Sequence, residues 1–241
     1  MLCTTANVKA QLGIPTADTT DDAVIARIAG EVSAAMARAA GRVCQGRPAL
    51  ERATWIERLS PERRTHVLHV AAYPITSVTE VIEALYGAFD DATALTADED
   101  YQLERHRGRL FRVGFWMAGA LTVRVTYEGG YTPAEAWVSG TSYAAGDRVT
   151  YGGAVYACTD AVSGATAPSD DEDHWEAKSL EVAVPDDLRG ACIAQSVHEF
   201  TRRRSPGATS ESAGSSSSAS GGWQWLDRVA DVIDGYRRRL L

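Results

Sequence analysis

The sequence predicts an α+β protein: a helical body with a small antiparallel β-region, plus an inserted small all-β module. Three observations predict it. Apolar residues recur at helical spacing near both ends of the chain, the period changes to two between Thr54 and Tyr131, and a short segment dense in aromatic residues follows that β-region.

In chain order, Thr4 or Thr5 is placed to cap a short helix carrying Val8 and Leu12, which Gly13 and Pro15 end. Thr20 is the expected cap of a stronger second helix. Asp21 and Asp22 occupy its first turn, Val24, Ile28, Val32, Ala35, Met36 and Ala39 form one narrow apolar stripe, and Gly41 stops it. Short strands are expected at 54–59, 66–70, 78–83, 101–103, 109–111 and 121–127, separated by turn signals at Pro61, Pro74, Asp90-Asp91 and Gly119. They predict one small antiparallel sheet, in which Leu121, Val123 and Val125 face the core while Thr122, Arg124 and Thr126 face water.

The segment from Trp137 to Lys178 contains Trp137, Tyr143, Tyr151, Tyr156 and Trp175 together with the turn pairs Gly146-Asp147 and Gly152-Gly153, and it is short and acidic. Without it, Gly129-Gly130-Tyr131 would meet Val184-Pro185 through a short connection, as expected for a module placed in a surface loop. The predicted organisation is therefore a body of residues 1–134 and 180–241 with an insertion at 135–179.

A central helix is expected from Val184 to Arg204. Pro185 suits its first position, Asp186 and Asp187 its positive end, and Arg202, Arg203 and Arg204 its negative end. Leu188, Cys192, Ile193, Val197 and Phe200 give it a broad apolar arc. A Ser/Gly-rich tether from Pro206 to Gly222 leads to a last helix with Trp225, Val229, Val232, Ile233, Tyr236 and Leu240 in one stripe, ending in Arg237, Arg238 and Arg239.

Of 241 residues, 45% are hydrophobic and 23% charged, the signature of an ordinary globular protein with a substantial core. The apolar runs are far shorter than a membrane span, and MLCTTANVKA lacks the charged start and apolar stretch of a secretion signal, so the chain is expected to stay in the compartment where it is made. The net charge of −8 is concentrated: residues 139–187 hold ten Asp and Glu against two Lys and Arg, leaving 22 of each sign elsewhere. A surface uniformly repulsive to polyanions is thereby excluded. Cys3, Cys44, Cys158 and Cys192 form no CxxC pair, so neither a disulfide framework nor a zinc site is expected, and reduced, partly buried thiols are.

No catalytic constellation stands out. His66 and His69 sit three apart on an expected strand and so face opposite sides, His198-Glu199 lacks the second histidine of a zincin helix, Gly129-Gly130 lacks a phosphate-loop pattern, and Asp170 to Asp173 lack the spacing of a calcium loop. The chain is expected to be no enzyme and to need no cofactor or metal. A small hydrolase without a legible site is the least supported alternative.

The order of these elements resembles the bacteriophage head-to-tail connector family, also called adaptor or head completion proteins. The resemblance is carried by VKAQLGI, DDAVIARI and the following GR, by PITSVTEV and DYQLERHRGRLF, by the passage from YEGGY to VPDDLRGACIAQSVHEF, and by the closing YRRRLL. It implies a homo-oligomeric ring, commonly twelvefold, in the neck of a virion made in the bacterial cytoplasm. Such a ring docks beneath the portal protein, extends the channel for passing double-stranded DNA, and meets a tail, stopper or tail-terminator protein on its far face. On this reading Trp223, Trp225, Val229, Ile233, Tyr236, Arg237, Arg238 and Arg239 are candidates for a portal or subunit interface, because aromatic residues and arginine are enriched at interfaces. Arg202, Arg203 and Arg204 are candidates for a charged channel or partner surface: repeated around a ring, they form a positive belt able to meet phosphates without reading sequence. The alternative for both clusters is two helix ends satisfying their dipoles.

The insertion resembles a second family, the small three-stranded modules related to chitin-binding domains of glycoside hydrolases. Trp137, SYAAGDRVTYGGAVYAC and His174-Trp175-Glu176 carry this likeness. It implies glycan binding by Trp137, Tyr143, Tyr156 and Trp175, and a carbohydrate-binding protein as the alternative function. The chain departs from the family at Ala157-Cys158-Thr159-Asp160, where such chitin binders carry adjacent exposed tryptophans. Contact with capsid, tail or host glycan stays open for the insertion, and the core of a module this small is the other use for its aromatic residues.

Overall fold

The computed structural model of the protein describes residues 1–90, 92–204 and 224–237, with the backbone alone for Tyr86 and Arg204. The chain forms two units: Met1–Val43 with Val184–Leu241, and Cys44–Ala183. The whole is α+β, as the sequence predicts.

The first unit is helical, built from α1 (Thr5–Leu12), α2 (Asp22–Ala39), α3 (Asp186–Arg204) and α4 (Asp227–Gly235). Thr4 caps α1 in a reciprocal box, its hydroxyl accepting the Asn7 N–H at 3.2 Å while the Asn7 side chain accepts the Thr4 N–H at 3.1 Å. Gly13, at φ 69°, closes the helix in the left-handed region that a glycine enters without a Cβ penalty. Thr20 does not cap α2; Asp21 precedes the helix, and Thr20 instead donates its N–H to Asp18. The turn is already held from within by Lys9, whose buried ammonium reaches the carbonyls of Thr16 and Asp18 and the carboxylate of Asp22 at 2.8 Å. The buried face of α2 is wider than the expected stripe, adding Ile25, Ala29, Ser33 and Ala37, because α1 and α3 both pack on it.

Helix α3 begins at Asp186, one residue after Pro185, whose carbonyl accepts the Arg189 N–H. Its buried residues are Leu188, Ala191, Cys192, Gln195, Ser196 and Phe200, whereas Ile193 and Val197 are only half-buried. Two polar side chains thus lie where an apolar arc was expected, and both are hydrogen-bonded: Ser196 to the Cys192 carbonyl, Gln195 to the backbone ahead of α4.

Where the chain passes between the units, β1 (Val43–Cys44) and β2 (Arg47–Pro48) form a ribbon whose turn, Gln45-Gly46, holds positive φ at both residues. The second unit holds β3 (Ala53–Leu59), β4 (Thr65–His69), β5 (Ile75–Glu83), β6 (Tyr101–Glu104), β7 (Arg109–Trp116) and β8 (Val123–Gly129). They make two three-stranded antiparallel sheets, ordered β3-β8-β5 and β4-β7-β6, not the single sheet expected. Alternation supplies a buried face from each, and Trp55, Val81, Val123, Val125 and Tyr127 share one core with Leu68, Tyr101, Leu110 and Trp116. Leu121 departs from the expectation: it lies before β8 at φ 52° and is exposed, while Thr122 is buried with its hydroxyl on the Met117 carbonyl.

The glycines after β8 are required by crowding. A Cβ on Gly129 would strike the Ala72 carbonyl, and one on Gly130, at φ 107°, would strike the Glu51 backbone. Behind Gly129 the buried Glu57 carboxylate accepts the Ala71 N–H and the Tyr127 hydroxyl at 3.0 Å, and that hydroxyl accepts the Ala72 N–H.

Within the same unit, β9 (Glu135–Ala136), β10 (Arg148–Tyr151), β11 (Ala154–Cys158) and β12 (Trp175–Ala177) form a sheet of their own, ordered β12-β11-β10-β9. It has four strands where the likeness implied three; the extra one, β9, pairs in parallel with β10. Glu181, on the segment leaving this sheet, is buried and receives Arg148 at 2.9 Å, Arg52 at 3.4 Å and the Thr132 hydroxyl at 3.0 Å. The sheet is thereby joined to β3 and β8, since Arg52 also pairs with Glu128.

Candidate functional site

The terminal helix was the first candidate surface. Its N-terminal approach lies beside Gln195 and its C-terminal end beside Asp187, where the Tyr236 hydroxyl donates to the carboxylate at 2.7 Å, so α4 runs antiparallel to α3. Val229 and Ile233 are buried there, within their own chain. This corrects their place among the interface residues: the face they form is already covered. Trp225 and Tyr236 are half-buried, and Arg237 is exposed and paired with Asp234 at 3.3 Å. Trp223, Arg238 and Arg239 lie outside the described residues.

At the end of α3, Arg202 and Arg203 are exposed on the last helical turn; Arg204 follows them there, its side chain outside the description. Two of the three cations of the expected belt therefore face solvent, in the position the helix dipole favours.

In the inserted sheet, Trp175, Cys158 and Val149 are buried together, and Trp137, Tyr143, Tyr156 and Val162 pack against them. Trp175 is 3% exposed, with the Tyr143 ring edge-on at 5.2 Å. Of the glycan candidates, Trp175 is thus core and cannot form a platform, while Trp137, Tyr143 and Tyr156 are half-buried against it. The ring that does reach the surface is Tyr151, 37% exposed and edge-on to Trp137 at 5.4 Å. It belonged to the expected aromatic set; it is the last residue of β10, where the strand ends at the Gly152-Gly153 turn.

A surface that sequence reasoning missed lies on β7. Phe111, Val113 and Phe115 are all exposed at alternate positions, Val113 to 66%, and His66 stacks on Phe115 with ring centroids 4.1 Å apart. The signal was present in RLFRVGFW, where apolar residues occupy both faces of a strand expected to end at Phe111. Leu110 and Trp116 take the core side, leaving Phe111 and Val113 facing solvent and Phe115 met only by His66.

Among the described residues no group of three or more His, Cys, Asp and Glu side chains is placed to hold a metal ion. The acidic loop is tied up locally, His174 Nδ1 lying 2.8 Å from Asp171, and that contact raises the histidine above its ordinary pKa. Asp100 is held below its usual range by the Thr96 N–H and then by Arg112, a turn brace between β6 and β7. The Tyr127 phenol is pushed far up by burial and by Glu57 beside it. Each of these shifts has a structural cause in a hydrogen-bonded contact or a buried core.

Comparison with known proteins gives two likenesses. The profile of carbohydrate-binding module family 5/12 matches residues 136–176, the span of the inserted sheet. The fold of nearly the whole chain is similar to a chain in the neck of an empty gene transfer agent (GTA) particle computed with C6 symmetry, with a TM-score of 0.52 and 14% identity over 98% of this chain and 90% of that one. A chain in the virion of the native gene transfer agent particle is similar at a TM-score of 0.50, with the same identity and coverage. No curated protein matches.

Proposed function

We propose that this chain is a structural subunit of the neck of a tailed phage or phage-derived particle, a head-to-tail connector whose copies form a ring between portal and tail. The observation that carries the reading is the shared fold with a chain of a gene transfer agent neck over 98% of the present chain. That neck was computed with C6 symmetry, which a sixfold and a twelvefold ring share; the number twelve comes from the sequence resemblance. Arg202 and Arg203, repeated around such a ring, supply the belt toward DNA or an acidic partner. Trp225, Tyr236 and Arg237 supply the rim of the portal-facing surface, with Trp223, Arg238 and Arg239 beside them in sequence. The uncovered β7 strand serves contact between neighbouring copies, since each copy in a closed ring buries surface on two others.

The test is quantitative mass spectrometry of purified particles. A low copy number near that of the portal protein supports the assignment, and absence from particles that contain portal removes it.

The family match over residues 136–176 favours a second reading for the insertion alone, adhesion to a glycan. Tyr151 and its neighbour Trp137 are the rings available for it. Retention of the full chain on chitin or a glycan array, abolished in Tyr151→Ala, supports glycan adhesion; no retention leaves the module as a protein-contact decoration of the neck.

A further inference from the structure

The thiols of Cys3 and Cys192, 189 positions apart in sequence, meet at 3.2 Å in the core of the helical unit. Both are free and buried. Cys3 lies just ahead of the Thr4 cap, and Cys192 is in the middle of α3. Around them the Ser33 hydroxyl accepts the Leu2 N–H at 3.0 Å, donates to the Ala29 carbonyl, and stands 3.5 Å from the Cys192 sulfur. The pair is thus held in register from α2 and α3 together. We propose that Cys3 and Cys192 are an oxidative modification site, the two thiols closing to a disulfide that ties the segment before α1 to the centre of α3.

The chemistry needs one oxidant, a small disulfide such as oxidised glutathione. Cys192 is buried in the helix, so the first exchange falls to Cys3 when the Met1–Thr4 segment lifts. The Cys3 thiolate attacks one sulfur of the oxidant, forming a mixed disulfide and releasing one thiolate that takes up the proton Cys3 lost. When the segment returns, the Cys192 sulfur, having given up its proton, attacks the Cys3 sulfur and expels the second small thiol, which takes that proton. One protein disulfide is formed and one small disulfide is reduced to two thiols. In the closed, reduced pair the hydrogen bond to Cys192 and then burial push the Cys3 thiol far up, so its ionisation waits for the Met1–Thr4 segment to lift and that contact to break; once Cys3 is a mixed disulfide it has no S–H left to donate. Closing the bond needs the sulfurs to approach from 3.2 Å to a bonded separation of about 2.05 Å.

The cross-link spans most of the chain, so it restricts the unfolded state over a long loop. In a particle assembled under reducing conditions and released into air, it would stiffen the ring after assembly; this use rests on the neck reading, and the bond itself does not.

The test incubates the reduced, full-length chain with oxidised glutathione, then blocks remaining thiols under denaturing conditions and measures intact mass and non-reduced peptides. Expected are two blocked thiols instead of four, a Cys3–Cys192 linked peptide, and a melting transition raised by about 5 °C. Cys3→Ser abolishes the linked peptide, while a chain carrying Cys44→Ser and Cys158→Ser retains it. Four blocked thiols after incubation, persistent glutathione adducts without a protein cross-link, or a link through Cys44 or Cys158 overturns the proposal. A chain that forms the bond yet is absent from particles refutes the neck reading and leaves the modification site standing.

Discussion

The side chain of Gln195 holds Leu226 by its backbone: Oε1 accepts the Leu226 N–H at 3.1 Å, while Nε2 donates to the Gln224 carbonyl at 2.9 Å. Gln195 is fully buried, and its Nε2 also reaches Glu199 at 3.1 Å. One residue in the middle of α3 therefore satisfies the backbone at the approach to α4. Gln195→Leu fills similar space but strands that backbone, at a cost of about 2–3 kcal/mol. Amide hydrogen exchange should show protection lost across 226–235 and kept in α2. Loss spread evenly over all four helices would argue against so local a role.

Glu181 gives the second prediction. Its carboxylate, 4% exposed, meets Arg148 and Arg52, and removal of one member of a buried charged cluster leaves the others uncompensated. Glu181→Ala is expected to lower stability by about 3–5 kcal/mol in urea unfolding. Limited proteolysis should then cut near residues 132 and 183, because the same carboxylate also holds Thr132 on the segment between β8 and β9. Double replacement of Arg52 and Arg148 should add little to the single Glu181 change.

The inserted sheet separates core from surface. Trp175→Ala removes a ring buried among Val149, Cys158 and Tyr143, and is expected to cost about 3–5 kcal/mol and unfold the module. Tyr151→Ala should leave the fold intact to within about 0.5 kcal/mol. Near-ultraviolet circular dichroism distinguishes the two, and only the second variant gives a clean reading of glycan retention.

His174 provides a pH dependence. Its contact with Asp171 raises the folded-state pKa above the unfolded one, so the stabilisation is fully present below the unfolded pKa and lost as pH rises through the folded value. His174→Gln should melt below the parent chain at about pH 5.5 and with it at about pH 8.5. A constant gap across that range would assign the residue a packing role only.

How far the sequence revealed this fold depends on where the stabilising groups come from. Capping of α1 at Thr4 or Thr5, the six strands of the β-region and three of the four strands between residues 135 and 177 are local in origin and were legible. The split into two sheets was not, because which strands pair is decided by contacts distant in sequence, such as Trp55 with Tyr127. Lys9, Gln195 and Glu181 were unreadable for a similar reason: a polar side chain looks solvated until its buried partners are known. Cys3 and Cys192 carry no spacing motif at all, since their meeting is made by helix packing. Among the candidate residues, Val229 and Ile233 had the right pattern for burial, and the pattern could not say that α3 of the same chain would cover them.

The exposed strand β7 carries the last prediction. Phe111, Val113 and Phe115 face solvent on one side of β7 while Leu110 and Trp116 anchor the other, so the outer residues contribute little to the fold of a single chain. A combined Val113→Thr and Phe115→Thr change keeps β-forming character at both positions and should shift unfolding by less than about 1 kcal/mol. Its effect is expected in association. If neighbouring copies meet on this strand, sedimentation of the concentrated variant should show fewer high-order species than the parent chain, and particles complemented with it should carry fewer necks with tails attached. A single change on an exposed position elsewhere, Ile56→Thr on β3, serves as the comparison, Ile56 being 51% exposed but isolated from other exposed apolar residues of its strand. Equal loss of association in both would mean that general surface hydrophobicity, not this strand, drives the contact.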